Sequence, residues 1–301
     1  MWLLFAFSGP VLWAASTHID KYLVERYFKH SDTAVLMVFT AWIGVLMLPF
    51  IWYFEPSVLL LPLASIAVMA ASGILYMGAM LFYLKAIQSA EASVVAPLFQ
   101  TSTLFTFVLG YLLLGETLSL VNAAGAALIL LGALLLSLDT SFHFGKLKLR
   151  LVLLMLLCTF VLALSTVIFK YFAVREEFWS TTFWTYAGEA LFGAGILAVP
   201  HYWRQFTKLL KTNTGALLAV NGANELINLG GGLGVRFASL LAPVALVSAI
   251  SSTSTLFVFL FGILITVFLP TLGREDLSRA NLIQKGAAAA LVVIGVILAN
   301  R

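Results

Sequence analysis

The sequence predicts an all-α integral membrane protein with ten transmembrane helices, arranged as two inverted five-helix repeats. Of its 301 residues, 62% are hydrophobic and 10% are charged, whereas soluble domains carry about 25% charged residues. Long apolar stretches, each near the roughly 20 residues that a helix needs to cross the hydrocarbon core, recur between short charged clusters. Residues 101–110 also return as residues 253–262 with 7 of 10 positions identical, and residues 16–22 return as residues 165–171.

Helix 1 begins near Trp2, and no positively charged segment precedes it. Although Ala14-Ala15-Ser16 resembles a cleavage site, the internal repeat continues past it, so we expect this helix to be retained. Charged clusters and turn residues delimit the later helices. The predicted helices, numbered in chain order, are 1 (2–22), 2 (33–54), 3 (58–84), 4 (93–114), 5 (120–138), 6 (151–171), 7 (179–199), 8 (215–237), 9 (242–269) and 10 (281–299).

Two halves of five helices each enter the bilayer in opposite senses, because five is an odd number. The sequence therefore predicts a first repeat over residues 1–140, a polar linker over 141–150 and a second repeat over 151–301. Inverted halves can rock about a site at their interface, which is the basis of alternating access.

Basic residues are distributed unequally between the two ends of this predicted bundle. The loops after helices 1, 3, 5, 7 and 9, with their flanks, hold 13 of the 17 lysines and arginines, and the opposite end holds 4. Those four are Lys170, Arg175, Arg236 and Arg301. Because cytoplasmic loops are enriched in Lys and Arg, the count by itself places both termini outside the cytoplasm.

Residues 83–136 combine the features of a known membrane repeat. They are Ala86 and Ala90 at the end of helix 3, Pro97 early in helix 4, the Gly115-Glu116 turn before helix 5, and Gly125 and Gly132 along helix 5. This arrangement resembles the repeat of the drug/metabolite transporter superfamily, EamA-type branch. In the second half, Pro243 and the repeated segment are present, but the Gly-Glu turn is stretched over residues 269–275.

The resemblance implies ten helices, alternating access, a central cavity between the halves and no particular substrate. It also implies cytoplasmic termini, which is the opposite of what the basic residues indicate. The sequence therefore leaves the orientation of the chain open.

Helix 8 carries a stripe of amides and one carboxylate. Asn221, Asn224, Glu225 and Asn228 follow the i, i+3, i+4, i+7 spacing of one helical face. Polar groups at membrane depth are costly and mark functional sites, so we expect this face to line a substrate cavity; the alternative is a hydrogen-bond network that only holds helices together. The glycines of residues 230–234 then allow either close helix approach or a local break.

Helices 4 and 9 carry polar residues at matching positions of the repeat. Gln100 corresponds to Ser252, and Thr103 corresponds to Thr255. Their symmetry suits a binding site at the interface of the halves. Ser and Thr also bond to their own helix backbone, so packing is an equal alternative.

Helix 1 ends in a further polar face, formed by Trp13, Ser16 and Asp20. Asp20, Glu225 and Glu189 of helix 7 are candidates for ion coupling, because a carboxyl in an apolar setting can bind a proton or another cation. The resemblance, however, places helices 2 and 7 nearer the periphery of the bundle. Lys21 and its repeat counterpart Lys170 are expected to reach the membrane surface, and Glu116 is expected to cap a helix or form part of a gate.

The leading functional prediction is a secondary transporter of a small polar organic solute, in the inner or plasma membrane, with protons or another ion as coupling partner. Any G-x-x-x-x-G-K-[ST] phosphate loop is missing from the sequence, the four histidines are scattered without a catalytic motif, and the single Cys158 excludes a disulfide or Cys-based metal site within one chain. We therefore expect no enzymatic activity, no cofactor and no metal.

The expected partners are the substrate and the lipid bilayer. Nucleic acid is not expected, because the basic residues lie between spans rather than in a tract. A monomer and a homodimer are both compatible with the sequence. The alternatives in function are a flippase for a lipid-linked sugar or another amphiphile and, in a different class, a non-transporting receptor or assembly protein.

Overall fold

The chain folds into a bundle of α-helices. The computed structural model describes residues 1–26, 32–89, 92–137, 149–268 and 278–301, and these ranges contain helices and short 3-10 turns but no strand. The helices are α1 (Trp2–Arg26), α2 (Thr33–Ile43), α3 (Leu48–Phe54), α4 (Leu63–Ser89), α5 (Ala92–Phe99), α6 (Thr101–Leu114), α7 (Leu120–Ser137), α8 (Leu149–Arg175), α9 (Phe178–Leu197), α10 (Pro200–Leu241), α11 (Val244–Ser251), α12 (Ser254–Phe268) and α13 (Arg279–Ala299).

Eight helical stretches of the described chain are long and apolar enough to cross a membrane. They are Trp2–Leu23, Ala34–Phe54, Leu63–Ile87, Val95–Leu114, Leu120–Ser137, Leu149–Arg175, Val244–Phe268 and Asn281–Ala299. Predicted helices 7 and 8 correspond to α9 and α10, whose 20 and 42 residues suffice in length but carry more polar side chains. The all-α membrane fold is thus observed, and the count of ten spans stays a prediction.

Several boundaries differ from the predicted ones. Helix 3 begins at Leu63 rather than residue 58, because Pro56 starts a 3-10 turn that ends at Leu60. Helix 8 was expected from residue 215, whereas α10 begins 15 residues earlier at Pro200, a residue suited to the first position of a helix. Residues 141–148 of the predicted linker and the stretched turn at 269–275 lie outside the described residues.

Predicted helices 4 and 9 are each interrupted near their first third. The interruption between α5 and α6 is at Gln100, and the one between α11 and α12 is at Ser252 and Thr253. Side chains compete with the helix backbone at both places: the hydroxyl of Ser252 donates to the carbonyl of Ala249 at 2.6 Å, and that of Thr101 to Leu98 at 2.7 Å. The interruptions fall at matching positions of the sequence repeat.

Helix contacts also occur in matching pairs. α1 packs on α10 and α12, while α8, its counterpart in the repeat, packs on α4 and α6. α7 packs against α13, and the α4–α9 contact has its counterpart in the contact between α10 and α2. Helices from the two halves therefore interleave instead of forming separate bundles.

Glycines bring the backbones of several helix pairs into contact. A Cβ atom at Gly188 of α9 would lie 1.9 Å from the carbonyl oxygen of Ala70, and one at Gly73 of α4 would lie 2.1 Å from that of Thr185. Between α7 and α13, Gly125 is similarly close to the backbone of Gly295. Such close approach is typical of small residues at membrane helix interfaces.

The glycine-rich segment 230–234 follows the same principle. The α10 helix continues through it without a break. Of the two predicted roles, close helix approach and a local break, the structure therefore shows the first. A Cβ at Gly231 would lie 3.0 Å from the indole of Trp13, and one at Gly234 would collide with the hydroxyl of Ser8. These glycines seat α1 against α10.

Both termini lie at one end of the bundle, which we call the terminal end. Three contacts define it: the Ser65 hydroxyl donates to Glu176, the Trp184 indole to the Val58 carbonyl, and the Asn122 amide to the Ala299 carbonyl. The start of α10 lies at the opposite end, where Gln205 accepts a hydrogen bond from the backbone of Asp32.

Candidate functional site

The stripe predicted on helix 8 is buried between α10, α1 and α2. Asn221, Asn224 and Glu225 are 1%, 0% and 2% exposed, and Asn228 is half-buried. The 3.6-residue period places them on one face, and the glycines that follow hold that face close to α1. Polar groups of the stripe therefore meet polar groups of α1 and α2 instead of lipid.

α1 contributes Asp20 to this cluster. One carboxylate oxygen accepts a hydrogen bond of 2.7 Å from the side-chain amide of Asn224, and the other accepts one of 3.4 Å from the hydroxyl of Ser16. Trp13, the third residue of the predicted face, packs on Gly231. The structure thus joins the polar ends of predicted helices 1 and 8.

α2 contributes Thr40, which sequence analysis missed. Its hydroxyl donates to one carboxylate oxygen of Glu225 at 2.8 Å, and the amide of Asn228 donates to the other at 3.5 Å. A lone Thr in an apolar helix is a weak signal, since its hydroxyl can bond to its own backbone. Its role becomes visible only through the position of α2 beside α10.

Asp20 and Glu225, which we call the acidic pair, are held by neutral donors. They are neighbours, because Asn224, which binds Asp20, directly precedes Glu225 in α10. In the part of the chain that the structure describes, neither forms an ion pair with a basic residue. A buried carboxylate without a cation is costly, so the acidic pair is ready to bind a proton or a cationic group.

A cavity of about 220 Å³ opens between α2 and α10 beside this pair. Its walls are apolar, formed chiefly by Phe39 and Trp42 of α2 and by Phe206 and Leu218 of α10, while Asn221 and Glu225 provide polar groups. The side-chain oxygen of Asn221 is buried and has no hydrogen-bond partner. The cavity therefore has an apolar surface, with buried acceptor groups directly behind it.

Glu189, the other predicted coupling candidate, lies in a different setting. It is bound by the guanidinium of Arg236, with a distance of 2.7 Å between Oε1 and Nη2. Arg236 also lies over the rings of Phe169 and Tyr186, at 5.1 and 4.8 Å from their centroids. The negative charge of Glu189 is therefore compensated, unlike that of the acidic pair.

Arg236 corrects the sequence-based charge assignment. It was counted with the basic residues of the terminal end, near the end of predicted helix 8, but its guanidinium pairs with Glu189 inside the bundle. The sequence contains a hint of this ion pair. Glu189 and Arg236 lie in neighbouring apolar segments, and either charge would be costly inside the membrane without a partner.

Lys170 was also expected at the membrane surface, and this prediction was wrong. The ammonium is buried, donates to the carbonyl of Ala242 at 2.7 Å and forms an ion pair with Glu116. Glu116 in turn accepts a hydrogen bond of 2.8 Å from the backbone of Val244, the first residue of α11. The prediction that Glu116 caps a helix is confirmed, and the helix that it caps belongs to the other half.

The symmetric polar positions of helices 4 and 9 lie apart from these contacts. Thr103 is linked to Ser248, whose hydroxyl donates to it at 3.2 Å. Ser252 and Thr255 bond to backbone carbonyls of their own segment at 2.6 and 2.9 Å, as the packing alternative expects. Gln100 is buried at the interruption between α5 and α6.

No three His, Cys, Asp or Glu side chains within the described ranges are grouped so that they could hold a metal ion. The described side chains of the site are carboxylates, amides and hydroxyls in an apolar surrounding.

These features define a multi-pass α-helical membrane protein with a polar site between its helices. Residues 1–138 match the model of the EamA-like transporter family. Over these residues, slightly less than half of the chain, the sequence is similar to that family of the drug/metabolite transporter superfamily, in agreement with the resemblance noted above.

The fold has been seen before. A crystal structure titled only as that of a protein is 19% identical, with a TM-score of 0.68, and the match covers 99% of this chain and 97% of the other. At this identity the match shows the fold alone. None of the curated proteins compared matches this sequence.

Proposed function

We propose that the protein is a secondary transporter that moves a small polar organic solute across the cell membrane by alternating access. The observation that carries this proposal is the acidic pair. Asp20 on α1 and Glu225 on α10 belong to different halves of the sequence, and their hydrogen bonds join those halves through Asn224 and Thr40.

The cost of burying this cluster suits a site that alternately binds and releases a ligand. Two carboxylates held only by neutral donors are destabilised by burial, and binding of a cation or proton relieves that cost. A ligand can shift a conformational equilibrium only by binding one state better than the other. Because the acidic pair is built from both halves, relative motion of the halves changes its surroundings and so its affinity.

Proton coupling follows from the same arrangement. Among the described residues, the titratable groups around Glu225 include Asp20 on α1 and Tyr76 on α4, and Thr40 faces it from α2. We propose that the acidic pair exchanges a proton for substrate during the transport cycle. Glu189, with its charge satisfied by Arg236, then serves the packing of α9 on α10.

The proposal is tested by finding a substrate and then measuring its transport. The purified protein is screened by thermal shift against amino acids, nucleosides, sugars, amines and lipid-linked sugar analogues at two pH values, since a ligand of the folded state raises its melting temperature. Uptake of each hit into proteoliposomes is then measured with and without a pH gradient. We expect the gradient to drive uptake, and Glu225→Gln or Asp20→Asn to abolish that dependence.

Glu176→Gln is the matched control. This carboxylate lies at the terminal end, bonded to Ser65 at 3.0 Å, so its loss leaves transport intact. Uptake with the same pH dependence in both acidic-pair variants would refute the coupling role.

Two alternatives predicted from the sequence give different results in these assays. A flippase responds to the lipid-linked compounds and to none of the soluble ones. A receptor or assembly protein binds a ligand without moving it, so its hits accumulate in no proteoliposome.

A further inference from the structure

The groove between α2 and α10 combines a carboxylate, an unsatisfied acceptor and an apolar wall. The carboxyl group of Glu225 has neutral hydrogen-bond partners, and the oxygen of Asn221 is buried without a partner. Both line the same cavity. A ligand that satisfies both groups needs a positive charge and more than one N–H donor.

The remaining walls of the cavity favour a ligand with an apolar body. Phe39, Trp42 and Phe206 provide aromatic surface, and Leu218 provides aliphatic surface. Aromatic faces also attract cations. With about 220 Å³, the cavity lies just below the range of roughly 300–1,000 Å³ that is usual for ligand sites, so the occupant is small.

The mouth of the groove faces outward from the bundle. Trp42, Leu46 and Leu218 line it and are 44%, 58% and 44% exposed. Apolar residues that are exposed on the outer face of a membrane helix contact lipid tails. A hydrophobic molecule dissolved in the bilayer therefore reaches the groove without first entering water.

We propose that this groove binds a small hydrophobic amine, with its ammonium group on Glu225 and Asn221 and its apolar body against Trp42, Phe206 and Leu218. This inference rests on the proposed function and replaces its general polar solute by one class, an amine whose only polar group is the ammonium. A primary amine is charged at pH 7 and supplies the donors that both acceptors need. An anion has the wrong charge, and a sugar matches neither the charge nor the apolar wall.

Gly222 provides a way to test the groove without disturbing the polar groups. It lines the cavity, and a Cβ atom at this position meets no atom within 4 Å. Gly222→Leu therefore fills the groove while the fold is kept. Gly232→Leu is the matched control, because Gly232 lies in the same helix, also has open space around its Cβ position and is not part of the groove.

The experiment measures binding of 2-phenylethylamine, 2-phenylethanol and 3-phenylpropionate to the purified protein in nanodiscs by calorimetry. We expect the amine to bind about tenfold or more tighter than the alcohol, as hydrogen bonds to charged groups do relative to neutral ones, and the carboxylate not to bind. Glu225→Gln should remove the preference for the amine. Gly222→Leu should weaken amine binding about tenfold, and Gly232→Leu should leave it unchanged.

The outcomes separate this inference from the proposed function. If no amine binds, or if amine binding survives Gly222→Leu, the groove is not an amine site. If another solute is then transported with a pH dependence that Glu225→Gln removes, the transporter proposal still stands. If the acidic-pair variants alter neither binding nor transport, both proposals fall.

Discussion

At the residue scale, the carboxylates inside this protein fall into two kinds. Glu116 and Glu189 are paired with Lys170 and Arg236, whereas the acidic pair has amide and hydroxyl partners. Removal of a charge should therefore have opposite consequences in the two settings.

Arg236→Met should strongly destabilise the protein, because it leaves Glu189 buried without its cation. Breaking a buried ion pair in this way costs about 3–5 kcal/mol. The double variant Arg236→Met with Glu189→Gln should regain much of the loss, since no lone charge remains. Thermal unfolding in detergent measures both; equal melting temperatures for the single and the double variant would contradict the structural role of the pair.

Glu225→Gln should keep or raise the melting temperature while it removes pH-dependent uptake. The side chain keeps its size, and a buried charge without a cation is replaced by a neutral group. Sites that serve function often cost stability in this manner. A loss of stability as large as that of Arg236→Met would show that Glu225 serves the fold instead.

At the element scale, the packing of helix pairs depends on glycines, and these are easier to find in the sequence than their partners. Gly125 and Gly132 stand out in the sequence as part of the family resemblance, and the structure places both against α13. Nothing in the sequence assigned Gly188 to the backbone of Ala70, because that contact joins α9 to α4 across 118 positions of the chain.

Gly188→Ala should therefore destabilise the α4–α9 crossing, since a methyl group there would stand 1.9 Å from a carbonyl oxygen. Gly195 of the same helix has open space around its Cβ position. Gly195→Ala should be neutral or stabilising by up to about 1 kcal/mol, because Ala favours the helix. The two melting temperatures test the prediction, and a Gly188→Ala protein as stable as the control would refute it.

A sequence pattern describes one helix at a time and does not identify contacts between distant helices. For this reason only some parts of the site could be predicted from the sequence. Periodicity within one helix identified the stripe on α10 and the face of α1, both of which the structure brings together. Partners on other helices, such as Thr40 for Glu225, carry no periodic signal and need the three-dimensional fold. Lys170 was misassigned for this reason too, since its partner Glu116 lies in the other half.

At the scale of the whole molecule, the structure changes the distribution of basic residues. Lys170 and Arg236 are paired inside the bundle, so the terminal end retains Arg175 and Arg301 from the four counted there. The excess of basic residues at the opposite end over the terminal end is thus larger than the sequence indicates. Taken alone, this distribution predicts a terminal end outside the cytoplasm, whereas the resemblance implies the reverse.

Orientation can be measured with single cysteines, because Cys158 is the only native one. In a Cys158→Ala background, Arg301→Cys at the terminal end should react with a membrane-impermeant maleimide in intact cells. Lys211→Cys, near the start of α10, should react only after the cells are lysed. The reverse pattern would mean that the termini are cytoplasmic.

Alternating access requires that the two halves move relative to each other, and we propose that the acidic pair controls this motion. Spin labels at Leu120→Cys of α7 and Val174→Cys of α8, both exposed near the terminal end and in different halves, report this motion in the Cys158→Ala background. We predict two distance populations by electron–electron double resonance, with a ratio that changes with pH and becomes insensitive to pH after Glu225→Gln. A single population that stays the same at every pH would contradict alternating access in this protein.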